Sequence, residues 1–217
     1  MGSGFENHAK YAESVYFKSN DNKSLYVNLY IPTELDWKEK GFKLLQNNNF
    51  PEVEATSFTV IESSGEPLTI NLRKPYWAKN VNVKINGKKQ KVEKSDNGYL
   101  SIGRKWKKGD KIELEFDTEL RMEKTPVENL TTIFYGPLLL AGRLGTEGMT
   151  EPAPTSNPEL YNDYYTYDYN IPEGIEKTLD FGNLRKLDKL KWETSEGVVI
   201  EPLYDIHGER HQIFWKN

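Results

Sequence analysis

Residues 81–92 read Val-Asn-Val-Lys-Ile-Asn-Gly-Lys-Lys-Gln-Lys-Val, and this stretch decides the fold class. Val81, Val83 and Ile85 alternate with Asn82 and Lys84, the period-two pattern of a strand with one buried face. Asn86-Gly87 follows, and both residues tolerate the positive φ that a two-residue hairpin turn requires. Lys88 to Val92 then returns. The stretch predicts a β-hairpin.

Working outward, the same period recurs on both sides. Leu25, Val27, Leu29 and Ile31 alternate with Tyr26, Asn28 and Tyr30 until Pro32 ends the run. Phe42 to Gln46, Thr56 to Glu62, and Leu68, Ile70 and Leu72 give three more strands, the last ended by Pro75. Downstream come Tyr99 to Ile102, a turn at Lys107-Lys108-Gly109-Asp110, and Ile112, Leu114 and Phe116. Ser24 to Phe116 thus holds about eight short strands between turn signals, the spacing of a β-sandwich. Leu130 to Arg143 adds a strand pair or one bent strand around Gly136-Pro137, and Val198 to Ile200 and His211 to Trp215 close the chain as strands. Residues 146–178 read as loop, and Leu179 to Trp192 is ambiguous between helix and strand.

One segment has the helical period. Phe5, Ala9, Ala12, Val15 and Tyr16 share a face over residues 5–17, with Ser3 and Glu6 at capping-box spacing. A single helix this short needs something to pack on.

Composition narrows the function classes. The chain has 217 residues, 36% hydrophobic and 29% charged, with 13 Tyr, 9 Phe and 5 Trp. Aromatic area therefore replaces part of the aliphatic core, which a disordered chain would lack. No apolar run approaches the ~20 residues of a membrane-spanning helix. The net charge of −4 disfavours a nucleic-acid partner, which calls for a basic surface. The sequence has no cysteine, so it offers neither thiolate zinc ligands nor a cysteine nucleophile. There is no glycine-rich phosphate loop and no nucleophile elbow.

Several ordered segments resemble the bacterial β-L-arabinofuranosidases of glycoside hydrolase family 127. Gly2-Ser3-Gly4-Phe5-Glu6-Asn7-His8-Ala9-Lys10-Tyr11 resembles the end of that family's catalytic barrel, and Leu25 to Pro32 its first sandwich strand. Arg73, Pro75 and Trp77 fit an R-x-P-x-W segment, and Val83 to Gly87 and Trp106 to Asp110 fit in order. Tyr135-Gly136-Pro137-Leu138-Leu139-Leu140-Ala141-Gly142 is similar to the family's YGPLVLAG strand, and Pro202 to His207 with Phe214-Trp215 to its closing segment. The resemblance implies an α/α barrel that carries the chemistry, with a zinc-bound cysteine nucleophile, followed by a β region. On that reading residues 1–20 are the remnant of the last barrel helix, residues 21–122 an antiparallel, jelly-roll-like β-sandwich, and residues 123–217 a C-terminal β region packed on or completing it. Zinc belongs to the missing barrel, and no cofactor is expected in this chain.

The candidate residues each have a bland reading beside the functional one. Glu6 and His8 would lie beside the reactive centre as sugar contacts or supports; alternatively Glu6 caps its own helix. Tyr165 and Tyr167, in the tyrosine-rich run from Tyr161 to Tyr169, could stack on sugar rings, or could pin a long loop by burial. His207, Glu209 and His211 would share one strand face and hold a metal, unless Gly208 makes a turn that scatters them. No metal ligand is assigned, and no catalytic residue. Lys84, Lys88, Lys89, Lys91 and Lys94 could form a polyanion patch, against the favoured reading of a solvated, aggregation-resistant hairpin edge.

The sequence therefore predicts a mainly β chain, the non-catalytic C-terminal part of a bacterial β-L-arabinofuranosidase-like glycoside hydrolase, inactive alone. Its partner would be the missing α/α-barrel domain, with a homodimer through an exposed N-terminal helix as a second association. The alternative is a free-standing carbohydrate-binding sandwich. The compartment is open between periplasmic and secreted, and neither membrane nor nucleic acid is expected as a partner.

Overall fold

The computed structural model describes residues 10–49, 52–92, 97–147 and 174–216. It divides into two compact units, residues 1–119 and 120–217.

Unit 1 is a sandwich of two sheets. The first contains β1 (Tyr16–Lys18), β2 (Ser24–Val27), β6 (Pro67–Arg73) and β9 (Tyr99–Lys105), in the order β1-β2-β6-β9. All its pairs are antiparallel except β2 with β6. The second contains β3 (Thr33–Trp37), β4 (Phe42–Asn47), β5 (Ala55–Ser63), β7 (Val81–Ile85), β8 (Lys88–Gln90) and β10 (Lys111–Phe116). Its order is β3-β4-β5-β10-β7-β8, antiparallel throughout. Nothing in these strand orders singles out a jelly roll.

The alternation seen in the sequence builds the core. Leu25 and Val27 on one sheet, and Phe58, Val60, Ile112 and Leu114 on the other, are 0–2% exposed. Trp106 closes the core from the turn after β9, donating its indole N–H to the Leu68 carbonyl at 2.9 Å. The predicted hairpin forms: β7 and β8 flank Asn86 and Gly87, at φ 51° and 75°. Its turn is tied to the other predicted turn. Asn86 donates from Nδ2 to Asp110 at 2.9 Å and accepts the Lys111 N–H on Oδ1 at 2.8 Å.

The N-terminal helix ends earlier than its periodicity predicts. Residues 10–13 are helical, but Tyr16 and Phe17, expected on that helix, lie in β1. Val15 is 1% exposed, and its carbonyl accepts the Asn28 N–H at 2.9 Å. Tyr16 packs on the sandwich core and donates its hydroxyl hydrogen to Gln46 Oε1 at 3.3 Å, with Thr33 Oγ1 2.9 Å away. Burial raises the Tyr16 pKa. Val15 is thus buried in unit 1, and Tyr16 packs against its core. The physical reason is their β-branched and aromatic character, which a strand edge accommodates better than a short helix.

Unit 2 is one sheet, β11 (Leu120–Lys124), β12 (Leu130–Tyr135), β13 (Leu138–Gly145), β16 (Val199–Pro202), β15 (Lys191–Glu193) and β14 (Arg185–Asp188), in that order. The closing segment fills a fork in it. β13 pairs with β12 at Leu140 but with β17 (Arg210–Gln212) at Gly142, on the same edge. β12 pairs in turn with β18 (Trp215–Lys216) at Leu130 and Thr131. Trp215 is 0% exposed under this wedge. A Cβ on Gly142 would stand 2.5 Å from its Cη2 and 2.9 Å from its Cζ2, so only glycine fits. The Tyr135–Gly142 and Phe214-Trp215 segments, far apart in sequence, are therefore two halves of one packing contact.

Candidate functional site

Glu6, His8, Tyr165 and Tyr167 lie outside the described residues. The remaining candidates can be placed. Gly208, at φ +68°, makes the turn that separates His207 from Glu209 and His211. Glu209 turns to Arg143 instead, which donates from Nε at 2.7 Å and also binds it through Nη2. Among the described residues no group of three or more His, Cys, Asp and Glu side chains could hold a metal. With no cysteine in the sequence, the residues present do not fit the zinc centre that the resemblance implies.

The best-buried acidic group of unit 2 is paired with cations. Glu201, 1% exposed, sits between two cations: Arg143 donates from Nη1 to Oε1 at 3.0 Å, and Lys191 Nζ stands 2.5 Å from Oε2. Its bond to Glu209, ahead of its contacts with Glu201, raises the Arg143 pKa. Sequence reading missed this cluster, because its members come from β13, β15, β16 and the loop before β17. In unit 1, burial works to raise the Asp110 pKa. The hydrogen bonds from Asn86 and the Lys107 N–H, with the Arg104 guanidinium 3.7 Å away, outweigh it and hold the carboxyl below its ordinary range. Both carboxylates are tied into the fold by these contacts.

Two clefts remain. One in unit 1, of 620 Å³, is lined by Lys74, Asn80, Asn82 and Asp117 above Phe116. Its polar groups pair internally: Asn80 Nδ2 donates to Asp117 at 3.1 Å and Lys74 Nζ to the Lys79 carbonyl at 3.0 Å. The other, in unit 2, of 690 Å³, has apolar walls at Leu130, Leu144, Ile175 and Phe214. Its rim carries His211 and the pair Lys216–Glu176 at 2.5 Å. Neither brings together two uncommitted carboxyls, the arrangement of the two-carboxylate sugar hydrolases. Of the motif residues, Trp77 leans on Phe116 with ring centroids 5.5 Å apart, and the backbone carbonyl of Arg73 accepts the Tyr30 hydroxyl while its side chain is exposed.

Comparison with known proteins places this scaffold. Residues 24–118 match the profile of the GH127 β-L-arabinofuranosidase middle domain. No curated protein sequence matches the chain. Among solved structures it is similar to a GH127 β-L-arabinofuranosidase from Geobacillus stearothermophilus T6, at 20% identity and a TM-score of 0.64, over 96% of this chain and 35% of that one. A second GH127 β-arabinofuranosidase superposes with a TM-score of 0.59 at 20% identity, over 93% of this chain and 36% of the other. A further glycoside hydrolase gives 0.60 at 17% identity, over 93% and 37%. The chain thus spans about a third of the length of the structures it matches. Residues 24–118 thus match the GH127 middle-domain profile, and the chain shares its fold with the corresponding third of these structures.

Proposed function

We propose that this chain is the non-catalytic β portion of a β-L-arabinofuranosidase-like glycoside hydrolase, and that it braces a catalytic domain lying outside these residues. The observation that carries the reading is the commitment of its buried carboxylates. Asp110 anchors two turns and Glu201 is held by two cations, so neither is free to attack or protonate a glycoside. A sugar hydrolase of the two-carboxylate type needs its pair about 5–10 Å apart across an open cleft, and the absent cysteine removes the nucleophile implied by the family resemblance. The parent reaction would be removal of a terminal L-arabinofuranoside or a related plant-glycan sugar.

The test is release of p-nitrophenol from aryl L-arabinofuranosides by the purified 217-residue chain. No turnover is expected. Turnover that co-purifies with the chain and disappears on substitution of one of its carboxylates would overturn the reading.

A further inference from the structure

The two outward faces of the unit 1 sandwich differ in charge. On the six-stranded sheet, Lys43 pairs with Asp36 at 3.4 Å and Glu62 at 3.8 Å, Lys84 with Glu115 at 2.5 Å, and Lys111 with Glu113 at 3.1 Å. That is how a solvated sheet face is built. On the four-stranded sheet, the register aligns Phe17, Tyr26, Asn71 and Ser101 in one row across all four strands, all pointing outward. The next row is Ser24, Thr69 and Gly103. Charge enters only at the strand ends, with Arg73 and Lys105. In a chain that is 29% charged, this neutral face with its aromatic rings has the composition of an interface core, where charged residues are depleted and aromatics enriched. Phe17 is 48% exposed there.

We infer that this face docks the catalytic domain of the parent protein, an inference that rests on the function proposed above. The polar groups exclude a glycan as occupant. Asn71 donates to the Leu25 carbonyl at 3.4 Å and accepts from Ser101 at 2.7 Å, and the Tyr99 hydroxyl is bound to Asn28. Their capacity is spent within the sheet, and the Tyr26 ring meets Tyr99 edge-on at 5.2 Å rather than lying flat for stacking. The area excludes a free dimer. Four strands ~4.8 Å apart and three to seven residues long give a patch of at most roughly 14 by 23 Å, well below the ~800 Å² per partner of a stable complex. A covalently tethered domain needs less, because its effective concentration reaches about the millimolar range. The matched relatives have such a tethered remainder, about two thirds of their length.

Hydroxyl-radical footprinting tests this, comparing the 217-residue chain with the full-length polypeptide encoded by its gene, with Tyr76, 76% exposed, as internal control. Phe17 oxidation is expected to fall about five-fold in the full-length protein, as burial at an interface core requires, while Tyr76 oxidation stays the same. Unchanged Phe17 oxidation in a full-length protein that hydrolyses aryl arabinofuranosides overturns the docking face and leaves the proposed function standing. A full-length protein without hydrolase activity, or a gene encoding no further domain, removes the function reading itself and the docking face with it. Two further outcomes also overturn the inference: a dimer of the isolated chain dispersed by Phe17→Lys, which assigns the face to a second copy, and protection of Phe17 by arabino-oligosaccharides, which assigns it to a glycan.

Discussion

Unit 1 and unit 2 bury their apolar residues in different ways. Among the described residues, unit 1 gathers nineteen buried apolar side chains into one cluster between two sheets, mostly Leu, Ile, Val and Phe. Unit 2 gathers six, and two of them are Trp192 and Trp215. In the larger cluster each residue shares its load with many neighbours. In the smaller, much of the burial rests on single rings and on the backbone that makes room for them. Alternation is therefore enough to specify unit 1, whereas unit 2 depends on particular contacts between distant segments.

The comparison is most exposed to a change at Trp215. Trp215→Ala should cost ~3–5 kcal/mol, the range for deleting a buried large aromatic. Hydrogen exchange should show lost protection in β12, β13 and β16, with β5 and β10 retaining theirs. Equal loss in both units would break the distinction between them.

Gly142→Ala comes next. Its Cβ would enter the space of the Trp215 ring, and overpacking of this kind costs ~1–3 kcal/mol. If the clash is the cause, Gly142→Ala combined with Trp215→Leu should cost less than the sum of the two single changes. An additive double variant in urea denaturation would remove the proposed lock.

In unit 1 a comparable effect should come from a polar anchor and depend on pH. Asp110→Asn should destabilise by ~1–3 kcal/mol at pH 7, the range for hydrogen bonds to a charged group. The folded carboxyl titrates below its ordinary value, so its contribution is complete above the unfolded pKa of ~3.9 and is lost as pH falls through the lower, folded value. The gap between the Asp110→Asn variant and the parent chain should therefore close on acidification below about pH 4. A gap that is constant from pH 7 to pH 2 would contradict the assignment. The smallest effect is expected at the hairpin. Gly87→Val places a β-branched side chain at φ 75° and should cost ~1–2 kcal/mol; an unchanged denaturation midpoint would count against the strained turn.

These contrasts explain what was legible in the sequence. The strands β4 to β7 and β10, and the Asn86-Gly87 turn, followed from alternation and turn chemistry, because each has one face in a large core. The strand β1 was not legible, since Val15 and Tyr16 also fit a 3.6-residue period with Phe5, Ala9 and Ala12. The strand β3 left a fainter signal, with Thr33, Leu35 and Trp37 alternating against Glu34 and Asp36, but Pro32 masked it as a terminator. In unit 2, β14 has four exposed residues and so no pattern to read. The contact between Gly142 and Trp215 needed the fold, although both residues stand out in the sequence as parts of recognisable segments. The Arg143–Glu201–Glu209–Lys191 cluster has no local signature at all. The neutral face of the four-stranded sheet lies between: each strand's outward residues can be listed from the sequence, but only the register shows that they share one surface.

The scaffold role is tested most directly by isothermal titration calorimetry of the whole chain with arabino-oligosaccharides. A bracing β portion should bind none of them more tightly than about millimolar, roughly −4 kcal/mol. A micromolar constant that is lost in Tyr165→Ala or Tyr167→Ala, with stability unchanged, would contradict the scaffold and make this chain a carbohydrate-binding module.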